Sequence, residues 1–91
     1  MSVVEKEVTI INKLGLHARA ATKLAQLSQQ FDAQVSVELA GNEADASSIM
    51  ALMLLAGGQG KTVKVKAHGE DAKQAVESIC ALINERFEEA E

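Results

Sequence analysis

The 91-residue chain reads as an α+β fold: a four-stranded antiparallel sheet with one face open and three helices covering the other. Three observations predict it. Four short segments alternate apolar and polar residues, so each has one face to bury. Three further segments carry apolar residues at helical spacing. Their order is strand, helix, strand, strand, helix, strand, helix, and a sheet with one solvated face is characteristically antiparallel.

The first strand lies in the run from Val3 to Asn12, where Val4, Val8 and Ile10 alternate with Glu5, Glu7 and Thr9. Lys6 interrupts its inward face. Asn12-Lys13-Leu14-Gly15 supplies turn chemistry. A helix follows from Ala18 to about Phe31, with Ala20, Leu24, Leu27 and Phe31 on its apolar side and Lys23, Gln26, Gln29 and Gln30 facing water. Val35, Val37 and Leu39 form the second strand. The tight-turn pair Gly41-Asn42 returns the chain as a third strand from Glu43 to Ala46.

Ser47 or Ser48 can cap a short helix from Ile49 to about Leu55. Gly57-Gly58-Gln59-Gly60 ends it. Val63, Val65 and Ala67 alternate with Lys64, Lys66 and His68 in the fourth strand, which Gly69 breaks. Ala72, Val76, Ile79, Ile83 and Phe87 mark a long final helix, with Cys80 as a small core residue beside them. The acidic end, Glu88 to Glu91, opposes the helix dipole and is expected to fray.

Residues 1–91 are expected to form one domain, with a core large enough to fold and little to spare. The formal charge of −4 and only two phenylalanines argue against nucleic-acid binding. No apolar run is long enough for membrane insertion, and no secretory signal opens the chain. One cysteine excludes an internal disulfide framework and fits a reducing, cytoplasmic setting. Zinc-ligand spacing is absent, so no metal is expected, and no cofactor is expected.

Gly60-Lys61-Thr62 invites comparison with a nucleotide-binding loop. The comparison fails, because Leu55 stands where the first glycine is needed and the run leads from a helix into a strand. A turn is the better reading. The second helix is more informative: Ile49, Met50, Met53 and Leu54 fall opposite Ala51, Leu52 and Leu55, and a short surface helix cannot bury both sides. An exposed apolar patch then marks a partner site, and two methionines suit a surface that fits more than one partner.

His17 stands at a strand-to-helix junction, beside the first unpaired N–H groups of the helix. Those groups and the helix dipole favour an anion such as phosphate. Accepting a phosphoryl group needs a neutral imidazole with one nitrogen lone pair available. Arg19 can then stabilise the added charge. Considered alone, a single histidine in a loop is more often just a polar connector.

Asn12-Lys13-Leu14-Gly15-Leu16-His17-Ala18-Arg19, Ser48-Ile49-Met50-Ala51-Leu52-Met53 and Gly60 together resemble the HPr-like histidine phosphocarriers of the bacterial phosphotransferase systems. The similarity runs over nearly the whole chain. It implies the HPr-like open-faced β-sandwich. It also implies that His17 accepts a phosphoryl group on Nδ1 from a phosphoenolpyruvate-dependent Enzyme I and passes it to an Enzyme IIA-type protein. Arg19 would stabilise the phosphate. Ala18, Ala20, Thr22, Ile49, Met50, Met53 and Leu54 would line the docking surface. Such a protein is a stoichiometric carrier, not an enzyme, and shuttling between two partners suits a monomer.

In some members the serine matching Ser48 is phosphorylated by a kinase. An alternative is therefore a regulatory binding module of the same fold controlled at Ser48. The sequence departs from the family pattern at Ala20, where proline is usual. Alanine keeps the first turn helical with slightly more freedom. Ile11-Asn12-Lys13-Leu14-Gly15 and Phe31-Asp32-Ala33 are more similar to the nitrogen-regulation branch (NPr) than to the sugar-uptake branch, although the residues alone leave both open.

Overall fold

In a computed structural model describing residues 3–88, the elements run β1 (Val4–Thr9), α1 (Ala18–Ser28), β2 (Ala33–Leu39), β3 (Asn42–Asp45), α2 (Ile49–Leu54), β4 (Thr62–Gly69) and α3 (Ala72–Asn84). The strands form one sheet in the order β1-β4-β2-β3, with each neighbouring pair antiparallel. The last strand in sequence thus lies in the middle. Register places Val8 opposite Val63 and Val37 opposite Val65. This aligns the apolar side chains of successive strands on one face.

That face is covered by α3, which packs on β1, β4 and β2, while α1 lies against α2 and α3. Leu24, Ile79, Ile83 and Leu52 from the helices close on Val37, Val63 and Val65 from the sheet. The other face is polar. Lys66 Nζ bridges Glu38 at 2.6 Å and Glu43 at 2.9 Å, which raises the lysine pKa and lowers that of Glu38. Cys80 is buried, and burial pushes its thiol pKa up.

Several boundaries differ from the sequence expectation. α1 ends at Ser28, three residues before Phe31. Gln30 and Phe31 continue it only as tighter turns, because the Asp32 amide is held by the Asp71 carboxylate at 2.8 Å and β2 begins at Ala33. The β2–β3 turn is Ala40-Gly41, both with positive φ, and Asn42 already pairs with Leu39. A two-residue hairpin of this kind matches strand twist only with both central residues left-handed.

The final helix stops at Asn84. Arg86, Phe87 and Glu88 take positive φ and turn Phe87 completely into the core. Lys23, expected to face water, instead donates from Nζ to the Phe87 carbonyl at 2.7 Å and lies 3.6 Å from Glu88. Residues 89–91, where fraying was expected, lie outside the described residues.

Candidate functional site

The segment between β1 and α1 is pinned from both ends. After β1, the Ile10 amide donates to the Lys61 carbonyl at 2.8 Å, and the Gly60 amide donates to the Ile10 carbonyl at 2.7 Å. Gly60 therefore sits in a turn that feeds β4, as its sequence context suggested. Asn12 is fully buried. Its Nδ2 donates to the Gly15 carbonyl at 2.9 Å, and its own carbonyl accepts from the Gly15 amide at 3.2 Å. This small ring fixes the turn.

Gly15 has φ +65, a left-handed conformation that costs an L-residue roughly 1–2 kcal/mol. Space adds a second requirement: a Cβ there would run into the Gly57 carbonyl and lie 2.9 Å from the Gly58 Cα. The next residue, Leu16, is buried and donates its amide to that same Gly57 carbonyl at 2.8 Å.

His17 is the N-cap residue of α1, with φ −74 and ψ 177, and its carbonyl accepts from the Ala21 amide at 2.8 Å. Its ring is half-buried, with Nδ1 at 3.0 Å from the Gly15 carbonyl oxygen. A carbonyl can only accept, so in this contact Nδ1 carries the proton. The first turn of α1 contains no acidic residue, so its N-terminal dipole is not offset there by a carboxylate.

Ala18 and Arg19, the next two residues, are exposed. Thr22 is half-buried and donates from Oγ1 to the Ala18 carbonyl at 2.7 Å. Ala20 keeps its expected place on the apolar side of α1 but not the docking role that the resemblance implies. It is fully buried, and a partner cannot reach a methyl group packed into the core. Its place is in the packing of the first turn, and it leaves the docking set.

On α2, Leu52 is buried while Ile49, Met50, Met53 and Leu54 are exposed, Met50 to 75% and Leu54 to 80%. The amphipathic division read from the sequence is the one observed. Ser48 rather than Ser47 caps the helix, with Oγ accepting from the Ala51 amide at 3.2 Å. Ser47 instead donates its hydroxyl at 2.7 Å and its amide at 2.9 Å to the Asp45 carboxylate. Both bonds hold the Asp45 carboxyl below its usual pKa.

The chain matches the family model described as the PTS HPr component phosphorylation site over residues 4–85. It is 48% identical over 90 residues to phosphocarrier protein NPr of Shewanella violacea, covering 99% of each chain. It is 47% identical over 89 residues to phosphocarrier protein HPr of Cupriavidus necator, covering 98% of this chain and all of that one (100%). The crystal structure of HPr from Thermoanaerobacter tengcongensis superposes with a TM-score of 0.92 at 38% identity, covering 97% of this chain and 99% of that chain. The chain belongs to the PTS-HPr family.

Membership makes it a phosphocarrier of the phosphotransferase system, a phosphoryl carrier rather than a catalyst. Proteins of this family interact with Enzyme I and Enzyme IIA. Nothing in the comparisons favours the alternative of a module controlled at Ser48. No helix among the described residues is long and apolar enough to cross a membrane. Between β1 and α1, two exposed apolar residues escaped the sequence reading: Leu14, 66% exposed in the turn before His17, and Ile11. The available signal was a leucine inside an otherwise polar turn, a position with no core to face.

Proposed function

We propose that His17 is the residue that carries the phosphoryl group, taking it from an Enzyme I-type donor and giving it to an Enzyme IIA-type acceptor. The observation that carries this reading is the placement of an imidazole at the N-terminus of α1, in a first turn holding Arg19 and no carboxylate. A lone pair of the neutral ring attacks phosphorus. The new N–P bond forms as the donor's bond to phosphorus breaks, and that electron pair returns to the donor. The doubly charged product then faces helix N–H groups and the Arg19 guanidinium.

Nδ1 is the proposed acceptor atom, and its bond to the Gly15 carbonyl sets a condition on it. The ring must turn out of that bond, or shift its proton to Nε2, before Nδ1 can attack. A hydrogen bond of this kind contributes about 0.5–1.5 kcal/mol net, small enough for a docked partner to offset. Ile49, Met50, Met53 and Leu54, with Ala18 and Thr22, form the proposed docking surface. Ser48 serves as a helix cap, and its modification by a serine kinase or phosphorylase is left to experiment.

The protein is proposed to act as a cytoplasmic monomer, with residues 1–91 as one domain. Its service lies in sugar uptake or nitrogen-related regulation; relatives called NPr and HPr share 48% and 47% identity with it. Incubation with phosphoenolpyruvate and Enzyme I should add one acid-labile phosphate to the wild type and none to His17→Ala. Acid-labile label on folded His17→Ala would refute the assignment. Comparing rates with sugar-type and nitrogen-type Enzyme I resolves the branch.

A further inference from the structure

We propose that Gly57 is a positioning residue for His17, holding the loop that orients the imidazole. Four observations converge on it. Its carbonyl accepts the Leu16 amide at 2.8 Å. The same carbonyl occupies the space a Cβ on Gly15 would need. A Cβ on Gly57 itself would fall 2.8 Å from Ile10 Cδ1 and 3.0 Å from Leu16 Cδ1. Finally, Gly57 is buried and is not among the glycines of positive φ, so its backbone does not demand glycine. Only the space does.

A side chain at 57 therefore acts by pushing Leu16 and Ile10. Leu16 lies between Gly15, whose carbonyl receives His17 Nδ1 at 3.0 Å, and His17 itself. The push is delivered to the ring through one peptide unit on either side. Gly57 also follows the exposed helix α2 by three residues, so one short segment joins the apolar patch to the imidazole. Transfer between bound partners is sensitive to such displacements, since misplacement by about 1 Å can cost on the order of a hundredfold in rate.

The test compares Gly57→Ala with Gly58→Ala. Gly58 is the matched control, because a Cβ there meets nothing within 4 Å. The first readout is the 15N spectrum of the His17 ring in the unphosphorylated protein, which needs no partner. The second, which rests on the phosphocarrier reading, is kcat and KM for phosphorylation by Enzyme I with phosphoenolpyruvate.

For Gly57→Ala the expected result is a changed balance of protonated Nδ1 and Nε2, together with kcat down by about tenfold or more at unchanged KM. Gly58→Ala should match wild type in both. Wild-type nitrogen shifts in folded Gly57→Ala would overturn the proposal, as would a rise in KM alone. Should Gly57→Ala fail to fold, adding Ile10→Val removes the atom met first and keeps the push on Leu16, with the same two readouts. Absence of phosphorylation in the wild type would sink the phosphocarrier reading and leave the spectroscopic comparison decisive for Gly57.

Discussion

Lys23 in α1 donates from Nζ to the backbone carbonyl of Phe87, at 2.7 Å, across the end of the chain. The bond ties the first helix to a turn of positive φ that seats a phenylalanine fully in the core. Hydrogen bonds to charged groups contribute about 1.5–3 kcal/mol, and the lysine's partial exposure argues for the lower end. Lys23→Met should therefore lower unfolding stability by about 1.5 kcal/mol in urea titration. Phosphate uptake at His17 should be retained. An unchanged urea midpoint would show that Phe87 holds the turn unaided.

Arg19 is exposed on the first turn, so its removal should lower folding stability by no more than about 1 kcal/mol. Its contribution falls on the phosphorylated state, where one charge-assisted bond contributes about 1.5–3 kcal/mol. Arg19→Ala should slow onward transfer to the acceptor by roughly tenfold or more. Transfer at the wild-type rate would remove the guanidinium from the mechanism.

Met50 and Leu54 are the most exposed residues of the α2 patch. Serine at either position should leave the melting temperature unchanged and raise KM for Enzyme I, since anchors at interfaces typically contribute more than about 1 kcal/mol each. A fall in kcat with KM unchanged would contradict a docking role.

Ser48 caps α2 through the Ala51 amide. Ser48→Ala should cost about 1 kcal/mol, read as a lower urea midpoint, and Ser48→Asp should retain most of the stability because aspartate caps equally well. Equal loss for both would mean that the cap contributes little.

Asp45 has its pKa lowered by the backbone and hydroxyl bonds of Ser47. A depressed carboxyl stabilises the fold wherever it is ionised in both states, and that contribution is lost as pH falls through the folded value. Wild type should therefore exceed Asp45→Asn in stability at neutral pH. The gap should narrow as pH falls to about 4 and below. A gap independent of pH would assign the difference to shape alone.

The alternation of Val35 and Val37, or of Val63 and Val65, was legible because strand periodicity depends on neighbours two residues away. The two sides of α2, the cap at residues 47–48 and the phosphoryl motif around His17 were local in the same sense. The helical spacing places Ala20 on the buried side of α1, as the structure has it, whereas the docking role implied by the family resemblance does not fit a residue packed into the core. The helical spacing puts Phe87 on the inward side but not in its turn of positive φ, because a helix and a left-handed turn can bury the same residue.

By itself, then, the sequence determined the element types, the apolar face of each element, the family motif and the exposed side of α2. Tertiary structure alone decided that β4 lies between β1 and β2, that the Asp71 carboxylate ends α1 by holding the Asp32 amide, and that Gly57 supports the loop of His17. The physical reason is distance along the chain. Helical and strand patterns express contacts within a few residues, whereas these features join groups tens of residues apart. Their partners are chosen by packing and by the pairing of backbone N–H and C=O groups.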